Sequence, residues 1–267
     1  MLQNAGALSL YTVGLTTGLV VDIGETATIV SPLIDGHIVL HAVQKLPVGG
    51  ADVTKSFWRQ LQDRGVELTG TSGVDIAREL KESVVIARKS SESESESESD
   101  MNEGEEGEEG ADESDAMMAA DGTLITTQRV HLPDGTDIVL SAQDRSQCVE
   151  TLFQPTVKEY QSICDGVVNA LQLCELETRA LLADAIVLTG GSAKIPALSH
   201  RLALQVRRKL PKMPSVQVIE APNAQTASWT GGSILAQSLQ SSTSEYWITA
   251  EAWQYGGEKA VENATRH

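Results

Sequence analysis

The apolar positions change period along the chain, and the changes mark its elements. Residues 1–12 end a helical pattern with Leu8, Leu10 and Tyr11 apolar. The run Leu19-Val20-Val21-Asp22 predicts a short buried strand, the tripeptide Ile23-Gly24-Glu25 a tight turn, and residues 26–30 a returning strand. A second turn over 32–36 and a third strand over 37–43 complete an antiparallel start. Asp52 is placed to cap a helix over 53–64, where Phe57 and Leu61 share a face four residues apart. Asp75 is placed to open another through about residue 87. After residue 121 the pattern gives a hairpin closed by Leu132-Pro133-Asp134-Gly135 and helices over 146–152, 157–172 and 175–182. A buried strand over 185–188 then feeds Thr189-Gly190-Gly191-Ser192. A helix over 196–210, a strand over 216–220 and a helix over 227–240 follow. Strands alternating with helices predict an α/β fold.

Charge changes this picture at one place. Residues 90–115 hold thirteen carboxylates and no Lys or Arg; taking them from a net charge of −17 leaves −4 for the rest. The acidity therefore belongs to one segment, in which Ser alternates with Glu before an acidic, glycine-rich stretch. Such a composition cannot bury enough apolar surface to offset chain entropy and predicts disorder over 90–121. A chain of this sign has no general attraction for phosphate backbones, which excludes direct nucleic-acid binding as an expectation. Cys148, Cys164 and Cys174 form no close ligand pair and the five histidines are scattered, so no metal cluster is expected. The uncharged first 21 residues lack a basic leading region and are broken by Gln3, Asn4, Ser9, Thr12, Thr16 and Thr17. The reading is neither a signal peptide nor a membrane span.

Two glycine turns carry candidate chemistry. In Val21-Asp22-Ile23-Gly24-Glu25-Thr26-Ala27-Thr28 a glycine lets backbone amides approach a polyphosphate, and the Asp can hold a divalent cation through water. This segment resembles the second phosphate loop of the actin, Hsp70 and sugar-kinase superfamily. Ile186-Val187-Leu188-Thr189-Gly190-Gly191-Ser192-Ala193-Lys194-Ile195-Pro196 is similar to the adenosine motif of that superfamily. An ordered series then points to actins: Ala7-Leu8-Ser9-Leu10-Tyr11, Gly49-Gly50-Ala51-Asp52-Val53-Thr54, Ile76-Ala77-Arg78-Glu79-Leu80-Lys81-Glu82, Leu132-Pro133-Asp134-Gly135, Leu152-Phe153-Gln154-Pro155, Trp229-Thr230-Gly231-Gly232-Ser233-Ile234-Leu235-Ala236 and Trp247-Ile248-Thr249.

The resemblance implies the α/β fold of the actin, Hsp70 and sugar-kinase superfamily (ribonuclease H-like), as a large lobe with a remnant of the small lobe. Residues 1–12 with 227–267 would belong to the small-lobe base. Residues 13–48 with 161–226 would form the large-lobe base, and 49–160 its outer part with the acidic insertion 90–121. It implies ATP with Mg²⁺ or Ca²⁺ as cofactor, at low occupancy for this chain. Asp22 would hold the cation through water, Gly24, Glu25 and Thr26 would supply the phosphate loop, Lys81 and Glu82 would meet the nucleoside, and Gly190, Gly191 and Ile195 would border it. The implied partners are other protein subunits of an actin-related-protein complex, with the acidic insertion suited to basic tails. The implied location is the cytoplasm and cytoskeleton or the nucleus, not the exterior.

Several positions depart from the actin pattern. Ile29 stands where a water-orienting His is expected, and an apolar β-branched side chain can neither orient a water nor move a proton. Ala5 stands near the expected Gln, with Gln3 two places earlier. Thr26 replaces a loop glycine, Ala51 replaces an Arg, and Gln225 replaces a basic residue. The match also begins well inside the actin pattern, with no counterpart of the first phosphate loop or its lysine. One wall of a two-walled cleft is therefore expected, with Trp229, Ile234, Leu235 and Trp247 left exposed. An architectural actin-related subunit with poor hydrolysis fits these departures. A filament-forming ATPase and a sugar-kinase-like phosphotransferase are the competing readings.

Overall fold

The computed structural model describes residues 3–66, 70–89, 117–133, 135–157, 159–239, 247–259 and 261. Its centre is a mixed sheet. Strand β1 (Gly18–Ile23) runs antiparallel to β2 (Thr28–Ile34), which pairs at one end with β3 (His37–Ile38) and at the other with β4 (Gln44–Leu46). On its other side β1 lies parallel to β9 (Ile186–Thr189), and β9 lies parallel to the edge strand β10 (Val218–Glu220). Both β1 and β9 are buried apolar runs, as strands covered on two faces must be.

The cover comes from helices on opposite faces. Gly6, in helix α1 (Ala5–Tyr11), lies against Ser31 and Leu33. Gly166, in α6 (Ile163–Leu173), lies against Leu46, the register partner of Thr28. Side chains alternate along a strand, so these contacts sit on opposite sides. Helix α9 (Ala227–Leu239) packs on α1 rather than on the sheet. A Cβ at Gly231 would run into the Leu8 carbonyl oxygen, so only glycine permits this backbone approach. Ser228 adds hydrogen bonds to Ser9 and to the Ala5 carbonyl.

A second group of elements sits beyond β4. Helices α2 (Gly50–Asp63) and α3 (Gly70–Val84) pack on each other, and α2 also touches α4 (Ala142–Gln147) and α5 (Glu150–Phe153). Two small hairpins complete this part: β5 (Met117–Met118) with β6 (Leu124–Ile125), and β7 (Gln128–His131) with β8 (Asp137–Leu140). Helix α7 (Leu176–Ala183) precedes β9, and α8 (Leu198–Lys209) follows it. A last short helix, α10 (Ala250–Gly256), has no buried residue.

Several boundaries differ from the sequence reading, each for a physical reason. Residues 32–34 continue β2 instead of turning, and the turn is Asp35-Gly36, both at positive φ. Pro32 is tolerated because Leu19 N–H bonds outward to Ala185; the opposite Pro32 therefore points its donor-less nitrogen at the gap between β3 and β4. That gap holds a 3₁₀ turn, Leu40–Ala42, which splits the strand expected over 37–43. Gly49, not Asp52, is the N-cap of α2. Asp52 stands at the third helical position and its carboxylate accepts from Gly49 N at 2.9 Å. Helix α3 starts at Gly70, so Asp75 lies inside it. The helix expected from 157 starts at Ile163, where Ser162 accepts from Asp165 N and forms a capping box with the Asp165 carboxylate. The described chain resumes at Met117. Residues 90–116 of the acidic segment lie outside the described residues, whereas 117–121 belong to a hairpin.

One buried cation fastens these parts together. Arg201 is only 2 % exposed. It donates to the Arg88 carbonyl at 2.7 Å and to Glu150 at 2.8 Å, and stacks over Phe153 at 4.9 Å. Glu150 also accepts from Arg88 Nε at 3.1 Å. Burial pulls the Arg201 pKa down while Glu150 pulls it back up. Removing one member of a buried ion pair typically costs about 3–5 kcal/mol, and Glu150 would be left with Arg88 alone. Arg201→Met is therefore expected to lower the urea midpoint by a loss of that size. A surface change such as Arg208→Met should leave the midpoint in place.

Candidate functional site

The parallel pairing of β1 and β9 sets Asp22 opposite Thr189, so both strands end at the same sheet edge. Each then enters a glycine turn. Gly190 adopts φ +95°, and a Cβ there would collide with the Ile23 carbonyl oxygen and crowd Asp22 Oδ1. A left-handed backbone and a close approach are required together, and glycine alone supplies both. Gly190 N–H and Thr189 Oγ1 both donate to the Ala224 carbonyl, at 3.0 and 2.9 Å. These bonds draw the turn at 224–226 to the same edge. On the other side, Gly50 N–H and Ala51 N–H donate to the carbonyls of Gly24 and Glu25, at 2.9 and 2.8 Å. They fix the start of α2 under the first turn.

Four stretches distant in sequence line one cavity of about 510 Å³: Gly24 and Glu25; Lys81, Glu82 and Val85; residues 191–196 apart from Ala193; and Gln225. Six of the nine sequence-predicted site residues are among them: Gly24, Glu25, Lys81, Glu82, Gly191 and Ile195. The other three do not line it. Gly190 forms the turn beneath, Asp22 lies at that turn, and Thr26 is exposed on the β1–β2 connection. At Gly191 no atom lies within 4 Å of where a Cβ would stand, so its open side faces free space.

The electrostatics follow from burial. Lys81 is 7 % exposed and donates to Thr54 Oγ1 at 2.9 Å and to the Gly50 carbonyl at 3.3 Å. Burial lowers its pKa, against the raising effects of Glu25 and Glu82. Burial alone pushes the Asp22 carboxyl above its ordinary value, and no described donor reaches its oxygens. Ile29 is the register partner of Asp22 and therefore stands on the same face of the sheet, 40 % exposed.

These features fit a polyphosphate with a hydrated cation. A backbone turn without side-chain obstruction, a half-buried carboxylate lacking a partner among the described residues, and a lysine beside the loop are the groups such a ligand needs. No group of three or more metal-ligating side chains occurs among the described residues, so a cation here would keep most of its shell as water and phosphate oxygen.

Sequence reasoning missed several contributors. Arg78, one turn before Lys81, reaches Glu25 at 3.5 Å. Val85 lies four residues beyond Lys81, just past the end of α3, with its N–H bonded to the Lys81 carbonyl at 3.2 Å. Lys194 stands within the second glycine motif. Its Nζ donates to Gln225 Oε1 at 2.9 Å, and both residues line the cavity.

The family model for Actin matches residues 1–266, nearly the entire chain. No helix among the described residues is long and apolar enough to cross a membrane.

The two adjacent glycines give opposite expectations. Gly190→Ala places a side chain at positive φ against a carbonyl and should lower thermal stability measurably; the extended positive-φ backbone alone costs about 1–3 kcal/mol. Gly191→Ala has room for its methyl and should melt with the unmodified chain. Calorimetry of the two variants checks both.

Proposed function

We propose that this chain, which belongs to the actin family, is an architectural subunit that holds an adenine nucleotide with Mg²⁺ or Ca²⁺ in this cavity and hydrolyses it poorly. The observation that carries the reading is convergence. Two glycine turns, a helix bearing Lys81 and Glu82, and the 224–226 turn are far apart in sequence and meet at one cavity. Gly24, Glu25 and Thr26 are the phosphate-loop backbone in this reading, and Asp22 is the water-mediated cation partner. Lys81 and Glu82 face the nucleoside, bordered by Gly190, Gly191 and Ile195. A bound cation would supply charge neutralisation at the phosphates. The protein's own part is to position the nucleotide and exclude competing geometries.

Poor hydrolysis follows from the Asp22–Ile29 pair. The residue across from the carboxylate presents only hydrocarbon, so Ile29 can neither orient a water nor accept its proton. A filament-forming ATPase would need that chemistry, and the reading here sets it aside for that reason. Exposed large apolar side chains support an assembly role: Trp229 is 79 % exposed, and Ile234, Trp247, Trp253 and Tyr255 are exposed too. Leu235, expected with them, is half-buried. The thirteen carboxylates of 90–115 would suit basic tails on partner subunits. The division into a base formed by 13–48 with 161–226, an outer part over 49–160 and a remnant formed by 1–12 with 227–267 belongs to the same reading.

Binding by this chain is expected to be weak, with a Kd above about 1 µM, because Glu25, Glu82, Lys194 and Gln225 are all exposed. Charge contacts in water contribute little against the cost of association. Titration calorimetry with Mg-ATP tests this, and failure to bind at millimolar ATP sinks the nucleotide reading. Phosphate release should be slow in the unmodified chain. Ile29→His should raise it, with the ceiling set by the roughly 10²–10⁴-fold that one positioned acid–base group contributes. Rapid release by the unmodified chain, or its pelleting as filaments, would favour the ATPase reading instead.

A further inference from the structure

We propose that strand β10 is the docking edge for a second copy of this chain, so that two central sheets join antiparallel across a two-fold axis. The inference stands apart from the nucleotide reading and uses no part of its cavity.

The central sheet ends at β10. Gln217 O accepts from Ile186 N–H and Ala221 N–H donates to Leu188 O, each at 3.0 Å, so the odd-numbered positions turn their backbone toward β9. Backbone groups alternate in direction along a strand. The N–H and C=O of Val218 and Glu220 therefore point outward, where no strand among the described residues pairs with them. Val216 lies on the same side, but Arg207 Nε and Nη2 cap its carbonyl at 3.1 and 2.8 Å. Edges are commonly blunted by proline, lysine or a bulge. Val218-Ile219-Glu220 carries none of these, and its ladder to β9 is unbroken.

The flank of this edge is shaped as well. Helix α8 runs antiparallel to β10, since Ser199 Oγ donates to Glu220 Oε1 at 2.5 Å while Arg207 reaches Val216. Between helix and strand lies a groove of about 430 Å³, with Ala203, Leu204 and Val218 among its lining. Leu204 is 38 % exposed.

Charge and register select a second copy as the occupant. Arg207 is exposed at one end of the groove and Glu220 at the other. An antiparallel approach sets the Arg207 end of each copy against the Glu220 end of the other, so the edge is complementary to itself. The Arg207 cap on Val216 leaves positions 218 and 220 as the free ones. A two-fold axis at Ile219 places Val218 opposite Glu220 of the other copy and pairs all four outward groups on each. The same rotation brings the two α8 flanks together over the joined edges, with Ala203 and Leu204 near their counterparts.

The test is analytical ultracentrifugation of the full chain across concentration, with hydrogen exchange at both ends of the range. A three-residue edge makes a small interface, so the dimer should form only at roughly 10–100 µM and above. Protection of the Val218 and Glu220 amides should rise with it. Val218→Pro removes an outward donor that the fold does not use, so it should melt with the unmodified chain and lose the dimer. Leu204→Lys, a change on an exposed helix position, sets like charges near the two-fold axis and should weaken association at least about tenfold. A chain that stays monomeric at about 1 mM overturns the inference. So does a dimer that survives both variants, or one that leaves the two amides unprotected. Protection of those amides only when another protein is added would assign the edge to that protein and overturn the second copy as occupant.

Discussion

The parallel ladder between Leu19–Asp22 and Ile186–Thr189 sets the position of everything chemical in this chain. Neither strand contributes more than one polar side chain at its end, yet their register decides where two loops emerge. A slip of one residue would turn Asp22 to the other face and carry the first glycine turn away from the second. The register is held by burial on both faces, where any shift would trade apolar contacts for polar ones. Gly190 then locks the two turns together, since its backbone lies against Ile23 with no room for a side chain.

Around that ladder, buried polar groups act as fasteners. Lys81 ties helix α3 to the first turn of α2 through Gly50 and Thr54. Arg201 ties α8 to Glu150 and to the backbone at Arg88. Each is a cation taken largely out of water, which is costly unless its donors are satisfied. Lys81 reinforces two helices that are neighbours in the chain, whereas Arg201 reaches from the helix after β9 across to α5 and Arg88. The cost therefore yields a fixed relation between the sheet and the group of helices beside it, and the cavity lies along that seam.

Much of this was legible in the residues. Both glycine turns, the strands leading into them and the Lys81–Glu82 helix followed from pattern, and six of nine site residues reached the cavity. What was not legible depends on partners remote in sequence. Asp52 satisfies a capping pattern by itself, but only the bonds from Gly50 and Ala51 to the first turn show that the helix begins earlier. Pro32 signals a turn by local rules, and the gap between β3 and β4 that admits it into a strand is a tertiary fact. Gln225 reads as a lost charge until its neighbour across the rim is known. Arg201 gives no signal, because a basic residue on an amphipathic helix looks solvated until its surroundings are in view.

The bridge between Arg88 and Ala119 gives the acidic segment an unusual status. Lys89 N–H bonds to Met118 O and Ala120 N–H to Ala87 O, so the residues that flank the acidic segment sit side by side. With both ends already held together, and the exit anchored by Arg201 on the Arg88 carbonyl, the length of what lies between is nearly independent of the fold's stability. Doubling such an excursion costs only about 0.6 kcal/mol in closure entropy. The paired flanks thus form a junction at which chain length can change over evolutionary time while the sheet and its cavity remain as they are.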